Sequence, residues 1–220
     1  MTASSKGRII GVVGWKDSGK TQVVERLVRV LGAGGFVVGT VKHVHDEVSL
    51  EPGAKDSTRH LDAGAACTVT LGGGLSVVLR REDDDLEQVT GRYLSLCDCV
   101  VVEGFKQSGI AKIAVVSDGN DLPEGIENVV AVVYRGARPH GCPAYTIDEI
   151  DSLCEFLLKE GILREPGRQA TLLVDGRPVR MNDFVQTSLT GVIQGFLASL
   201  RDVKDPSTIE LSIKLDKPAR

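Results

Sequence analysis

The sequence predicts an α/β fold with a mostly parallel central sheet, and three adjoining features carry that prediction. Gly14–Thr21 reads G-W-K-D-S-G-K-T and fits the phosphate-binding pattern G-x-x-x-x-G-K-[ST] at every position. The run R-I-I-G-V-V at 8–13 precedes it, with the continuous apolar, β-branched character of a strand buried on both faces. A helical period follows: Val24, Leu27, Val28 and Leu31 recur at i, i+3, i+4 and i+7 before Gly32, Gly34 and Gly35 end the helix. Strand, loop and helix in that order are the context the pattern needs.

The chemistry of the loop follows from its residue types. Gly14 and Gly19 let the backbone curl until successive N–H groups face an anionic phosphate. Lys20 reaches the β- and γ-phosphates as a point charge, and the Thr21 hydroxyl is a Mg²⁺ ligand candidate. Lys16, Asp17, Ser18 and Gln22 complete the predicted nucleotide-binding stretch, and the helix adds its positive end.

The chain has 220 residues, enough for one ordinary α/β domain and a small appendage. A net charge of −4 argues against a nucleic-acid-binding surface, which leaves a basic footprint. No apolar stretch reaches the roughly 18 residues that span a bilayer. The polar start, M-T-A-S-S-K-G, lacks the apolar core of a signal peptide. Five cysteines, an odd number, suit reduced thiols, and the expected location is cytoplasmic.

Further along, Phe36–Val41 reads as a second strand that delivers Lys42, His43, His45 and Asp46 to the strand ends, where ligands of open α/β sheets bind. His43 and His45 share one side of an extended segment. They are ligand candidates or simply local hydrogen-bonding groups, and two histidines do not fill a metal's coordination shell. Asp56 or Ser57 is the expected N-cap of a short helix ending near Gly64. Ala66–Leu71 and Leu75–Arg80 flank three glycines as a hairpin, and Glu82–Leu96 reads as an amphipathic helix.

The segment C-D-C-V-V-V-E-G at 97–104 is an apolar strand that ends in a carboxylate. After a phosphate loop, that acid is the group that holds Mg²⁺ or orients water, so Glu103 is the candidate. Cys97 and Cys99 alternate onto one face and read as core-filling thiols. Lys112–Val116 and Val129–Tyr134 continue the strands, and Asp148–Leu158 is a closing helix. The guanine-reading tetrapeptide N-K-x-D is absent from the sequence, so base preference stays open at this level.

Composition changes at Gly161–Arg168, which marks a linker between a nucleotide-binding domain over 1–164 and a smaller unit over 168–220. Asp175-Gly176 is a strong hairpin signal. With a helix at Phe184–Leu200 and an edge-type strand at Thr208–Leu215, this unit reads as ββαβ.

Four segments together resemble the MobB family, the molybdopterin-guanine dinucleotide biosynthesis adaptors. They are G-W-K-D-S-G-K-T at 14–21, V-K-H-V-H-D at 41–46, K-D-S-T-R-H-L-D-A-G-A at 55–65, and V-V-V-E-G-F-K at 100–106 with A-K-I at 111–113. The resemblance implies a dimeric phosphate-loop (P-loop) protein that binds GTP with Mg²⁺, hydrolyses it slowly and assists the molybdopterin guanylyltransferase. Molybdopterin itself is a second implied ligand. It further implies that Lys20 and Glu103 are catalytic, with Thr21 and Glu103 at the metal. Lys42, His43, His45, Asp56 and Arg59 would line the γ-phosphate side or a cofactor groove, with Gly104 in a switch-like turn. Many members carry a histidine where this chain has Asp46, and the spacer before Lys55 also departs from the common pattern. Two other readings of the loop are a small-molecule kinase and a metallochaperone-type GTPase.

Overall fold

The structure is a computed structural model and describes residues 7–44, 55–117, 124–167, 170–179, 181–204 and 206–213. It confirms the α/β fold. Six strands form one sheet: β1 (Ile9–Gly14), β2 (Val38–Lys42), β5 (Cys99–Glu103), β6 (Ala111–Val116), β7 (Val129–Tyr134) and β8 (Ala144–Tyr145), in the order β2-β5-β1-β6-β7-β8. Every neighbouring pair is parallel. Parallel strands are joined by crossovers that cover both faces, so their side chains are apolar in both directions.

β1 shows this directly, since all six of its residues are buried. Ile10 and Val12 face α1 (Lys20–Ala33) and α4 (Ile150–Lys159), in a cluster with Leu27, Leu31, Leu153 and Leu157. Ile9 points the other way, with Val100, Val102 and Ile110, toward the side where Leu86 and Leu94 of the α3 (Leu86–Tyr93) region pack. Val13 meets Ala114 and Val132. Burial of a side chain such as Leu27 stabilises the fold by about 1.5–3 kcal/mol.

The elements begin and end where local chemistry dictates. α3 is shorter than the predicted Glu82–Leu96, because Asp85 is its N-cap. Asp85 accepts from the Gln88 N–H at 2.8 Å, and Gln88 Oε1 accepts from the Asp85 N–H at 3.0 Å, a reciprocal capping box. The preceding acids are used otherwise: Glu82 pairs with Arg80 and Arg92, and Asp84 lies 2.9 Å from Arg92. β2 starts at Val38, two residues later than expected, because the chain is still closing α1 at Phe36, whose N–H donates to the Leu31 carbonyl.

α2 (Lys55–Asp62) already includes Asp56 and Ser57, so neither is the expected N-cap. The Ser57 hydroxyl instead lies 2.7 Å from the Thr70 hydroxyl on β3 (Thr68–Gly72). β3 pairs with β4 (Leu75–Leu79) as an antiparallel hairpin that forms its own two-stranded sheet. Val69, Leu71, Leu75, Val77 and Val78 on it are exposed.

The chain divides into two compact units, Met1–Arg180 and Met181–Arg220. The first includes the hairpin of β9 (Leu173–Val174) and β10 (Arg177–Pro178), turned by Asp175 and Gly176 at φ 51° and 75°. That hairpin packs on α3, where a Cβ at Gly91 would lie 3.2 Å from Leu173. In the second unit, Asn182 caps α5 (Asp183–Ala198) by accepting from the Val185 N–H at 2.9 Å. Among the described residues of 208–213 there is no strand, in contrast to the predicted Thr208–Leu215.

Candidate functional site

The phosphate loop joins the carboxyl end of β1, the central strand, to α1, which begins at Lys20. Gly14 is required by close approach. A Cβ there would lie 2.5 Å from the Val115 carbonyl oxygen and 2.7 Å from Ser18 Oγ, so any larger residue pushes the loop off β6. Asp17 and Gly19 have φ of 59° and 93°, which curls the loop between them. Lys20 Nζ donates to the Trp15 carbonyl, back across the loop. Partial burial lowers the Lys20 pKa, against the opposing pull of the Glu103 carboxylate. Ser18 Oγ is buried without a hydrogen-bond partner, an orphaned polar atom at the centre of the curl.

Glu103 arrives from the neighbouring strand. β5 is in register with β1, with Val12 beside Glu103, and with β2, with Lys42 beside Glu103. Thr21 Oγ1 donates to Glu103 Oε2 at 3.1 Å, and Lys42 Nζ lies 3.6 Å from Oε1. The hydroxyl and the carboxylate are both hard oxygen donors, the type that Mg²⁺ takes. Thr21 and Glu103 thus bring together a donor pair of the type that fits the ion.

Gly104 follows at φ 98°, and its N–H donates to the Val12 carbonyl at 3.0 Å. A Cβ there would lie 3.1 Å from His43 Cβ, so position 104 must be glycine for β2 to end beside it. The His43 N–H donates to the Glu103 carbonyl at 2.9 Å. Its ring lies 4.5 Å from that of Phe105, centroid to centroid. His43 is thus held at the rim by packing and backbone. His45 lies outside the described residues. Asp56 and Arg59 sit exposed on α2 and pair with each other at 3.5 Å, and among the described residues no hydrogen bond ties them to the loop. Lys16 and Gln22 are exposed on the loop and on the first turn of α1, and Gln22 Oε1 accepts from Arg135 at 3.2 Å.

Three contributors were not evident in the sequence. Lys106 lies over the Trp15 ring, Nζ to centroid 5.6 Å, which ties the turn after Glu103 to the phosphate loop. Lys112, fully buried on β6, donates from Nζ to the carbonyls of Ser108, Ile110 and Glu127, the last two at 3.2 and 3.0 Å. It fixes the far end of the same turn. Arg135 bridges the end of β7 to α1 through Gln22. The signals were weak because each depends on a partner far along the chain.

Cys99 and Cys154 are buried core thiols, whereas Cys97 and Cys142 are partly buried and Cys67 is exposed. Burial pushes the Cys99 and Cys154 thiols up to about 12. Among the described residues, no group of three or more His, Cys, Asp or Glu converges as a metal site. Nor is any described helix long and apolar enough to cross a membrane.

Comparison with known proteins agrees with this geometry. The family model for MobB, molybdopterin guanine dinucleotide synthesis protein B, matches residues 9–135. A probable molybdopterin-guanine dinucleotide biosynthesis adapter protein of Bacillus subtilis is 32% identical over 151 residues, covering 64% of this chain and 86% of that protein. A putative adapter of the same description from Methanocaldococcus jannaschii is 26% identical over 238 residues, 96% of this chain and 99% of that one. The crystal structure of Bacillus subtilis MobB superposes with a TM-score of 0.57 at 28% identity, covering 72% of this chain and 99% of that one. With the loop, the strand order and a family match from β1 through β7, this chain belongs to the MobB family.

Proposed function

We propose that the chain is an adaptor of molybdopterin-guanine dinucleotide synthesis that binds GTP with Mg²⁺ at Gly14–Thr21. It hydrolyses GTP slowly and works beside the molybdopterin guanylyltransferase. The observation that carries this reading is the meeting of Thr21 and Glu103 at 3.1 Å, at the mouth of the phosphate loop. On this reading Lys20 neutralises phosphate charge, and Thr21 and Glu103 would supply oxygens to the metal. When bound, Mg²⁺ supplies charge neutralisation to the phosphates. Glu103 is placed to hold or orient water, and Lys42 keeps its carboxylate turned to the site.

The names of the relatives support the pathway, since they describe adapter proteins of molybdopterin-guanine dinucleotide biosynthesis. The exposed apolar hairpin β3–β4 supports a homodimer, because a two-stranded ribbon that leaves Val69, Leu71 and Val78 exposed is marginal alone. Molybdopterin itself is a second ligand on this reading, with His43 at the rim.

Calorimetric titration with GTP, ATP and their diphosphates, with and without Mg²⁺, tests the proposal. The expected result is Mg²⁺-dependent triphosphate binding that is lost in Lys20→Ala. Absence of triphosphate binding by the folded protein would refute it.

A further inference from the structure

The carboxyl ends of β6 and β7 and the turn after β8 enclose a pocket of about 240 Å³ that opens beside the phosphate loop. Ser18 and Gln22 form its loop side, Val116 and Ile147 its apolar walls, and Arg135 and Asp148 its polar groups. Complete small-molecule sites run to roughly 300–1,000 Å³, so a pocket of this size takes one part of a ligand. The part is defined by what lies next to it, since the same loop residues that curl around phosphate border the pocket.

The polar groups are positioned differently from each other. Arg135 donates to Gln22 Oε1 at 3.2 Å, which tethers its flat guanidinium over the first turn of α1, where an aromatic ring can stack on it. In the turn after β8, two carboxylates stand side by side with different duties. Glu149 is committed to the cap, accepting from the Thr146 N–H at 2.7 Å and from the Thr146 hydroxyl at 3.0 Å. Asp148 lines the pocket and has no hydrogen-bond or ion-pair partner among the described residues. The cap thus holds rigid a turn that presents one unused double acceptor.

We propose that this pocket holds the nucleobase of the nucleotide bound at the loop, and that Asp148 selects guanine. The inference rests on the nucleotide-binding reading above and deepens it by naming the group that reads the base. The chemistry is that of paired donors and acceptors. Guanine presents an N1–H and an exocyclic amino group side by side, two parallel donors for the two carboxylate oxygens. Adenine presents the N1 lone pair in that position, which a carboxylate repels. Xanthine presents an N1–H beside a carbonyl, the pattern that an amide side chain matches. The absent N-K-x-D tetrapeptide is therefore no obstacle to guanine preference, because the acceptor comes from the turn after β8.

The test is calorimetry on the full chain with GTP, ATP, XTP and inorganic tripolyphosphate, for the wild type, Asp148→Asn, Asp148→Ala and Lys20→Ala. The wild type is expected to prefer GTP over ATP by about tenfold or more, the discrimination of one bidentate pair. Asp148→Asn should lose about tenfold for GTP and gain about tenfold for XTP, with tripolyphosphate binding unchanged. Asp148→Ala, which leaves an exposed turn intact, should lose the GTP preference without gaining XTP. If the wild type binds GTP and ATP alike, or Asp148→Asn leaves the GTP-to-XTP ratio unaltered while Lys20→Ala still weakens tripolyphosphate, the base assignment is overturned and the phosphate site stands. If Lys20→Ala changes neither tripolyphosphate nor GTP binding, the phosphate site itself falls and the inference with it.

Discussion

Lys42 and Glu103 are neighbours in the sheet and partners across it. They are register-matched at the carboxyl ends of β2 and β5, and Lys42 Nζ lies 3.6 Å from Glu103 Oε1. The ammonium is exposed and the carboxylate largely buried, so the pair holds Glu103 in place more than it stabilises the fold. The opposite oxygen is left for Thr21.

Glu103→Gln keeps the shape and removes the charge. Hydrolysis is expected to fall by about two decades or more, the range of a positioned acid–base group, with a much smaller loss of nucleotide affinity. Single-turnover hydrolysis beside equilibrium binding separates the two. Equal hydrolysis in mutant and wild type would move the role to another residue.

Lys20→Ala removes a charge-assisted contact to phosphate, about 1.5–3 kcal/mol. Triphosphate affinity should drop by roughly one to two decades. An unchanged affinity in a folded variant, read by calorimetry, contradicts the phosphate site.

Lys112→Met leaves three carbonyls without their shared donor inside the protein. Each unsatisfied group costs about 1–3 kcal/mol, so a loss of about 3 kcal/mol or more is expected in urea unfolding. A loss below about 1 kcal/mol would mean that the carbonyls find other donors.

Two chain ends test the unit boundary. The hairpin β9–β10 covers α3 at Gly91. A chain ending at residue 180 should keep its melting temperature and nucleotide binding. One ending at 168 uncovers α3 and should melt several degrees lower, at about 2–4 °C per kcal/mol lost. The second unit, whose Phe184, Val192 and Phe196 are exposed on α5, is proposed to serve partner or dimer contacts, so the 180 truncation should lose transferase binding. Normal transferase binding by that truncation would defeat this part.

Cys99 and Cys154 give a pH signature. Their thiols titrate near 9 when unfolded and at about 12 when folded. A raised folded value means that the stabilisation is complete below pH 9 and is lost as pH climbs toward 12. Stability should therefore decline between those limits, by at most about 1.4 kcal/mol per pH unit for each thiol. Urea midpoints at rising pH for the wild type and Cys99→Ala measure it. An identical pH slope in both would show that other groups set the alkaline limit.

The parts of the fold legible in the sequence are those whose cause is local. The loop and the strand before it were evident because phosphate chemistry and a doubly buried strand both leave contiguous signatures. The length of α3 was overestimated because Glu82 and Asp84 resemble helix-start acids, while only Asp85 has the Gln88 partner that makes a cap. The last expected strand, at Thr208–Leu215, alternates correctly, yet alternation does not supply a partner strand. The base pocket was illegible because its walls come from residues 18–22, 115–116, 133–136 and 146–148, which only the sheet order brings together.

The place of β1 at the middle of the sheet has a consequence for amide exchange. Between β5 and β6, its N–H groups have no edge from which to fray, so they should exchange with deuterium only when the whole first unit opens. The β3–β4 ribbon, paired only to itself, should exchange orders of magnitude sooner. The loop proposed to bind phosphate is therefore anchored in an interior strand expected to be among the slowest to exchange, and a ligand bound there should protect the amides of the loop without altering the protection of the strand that carries it.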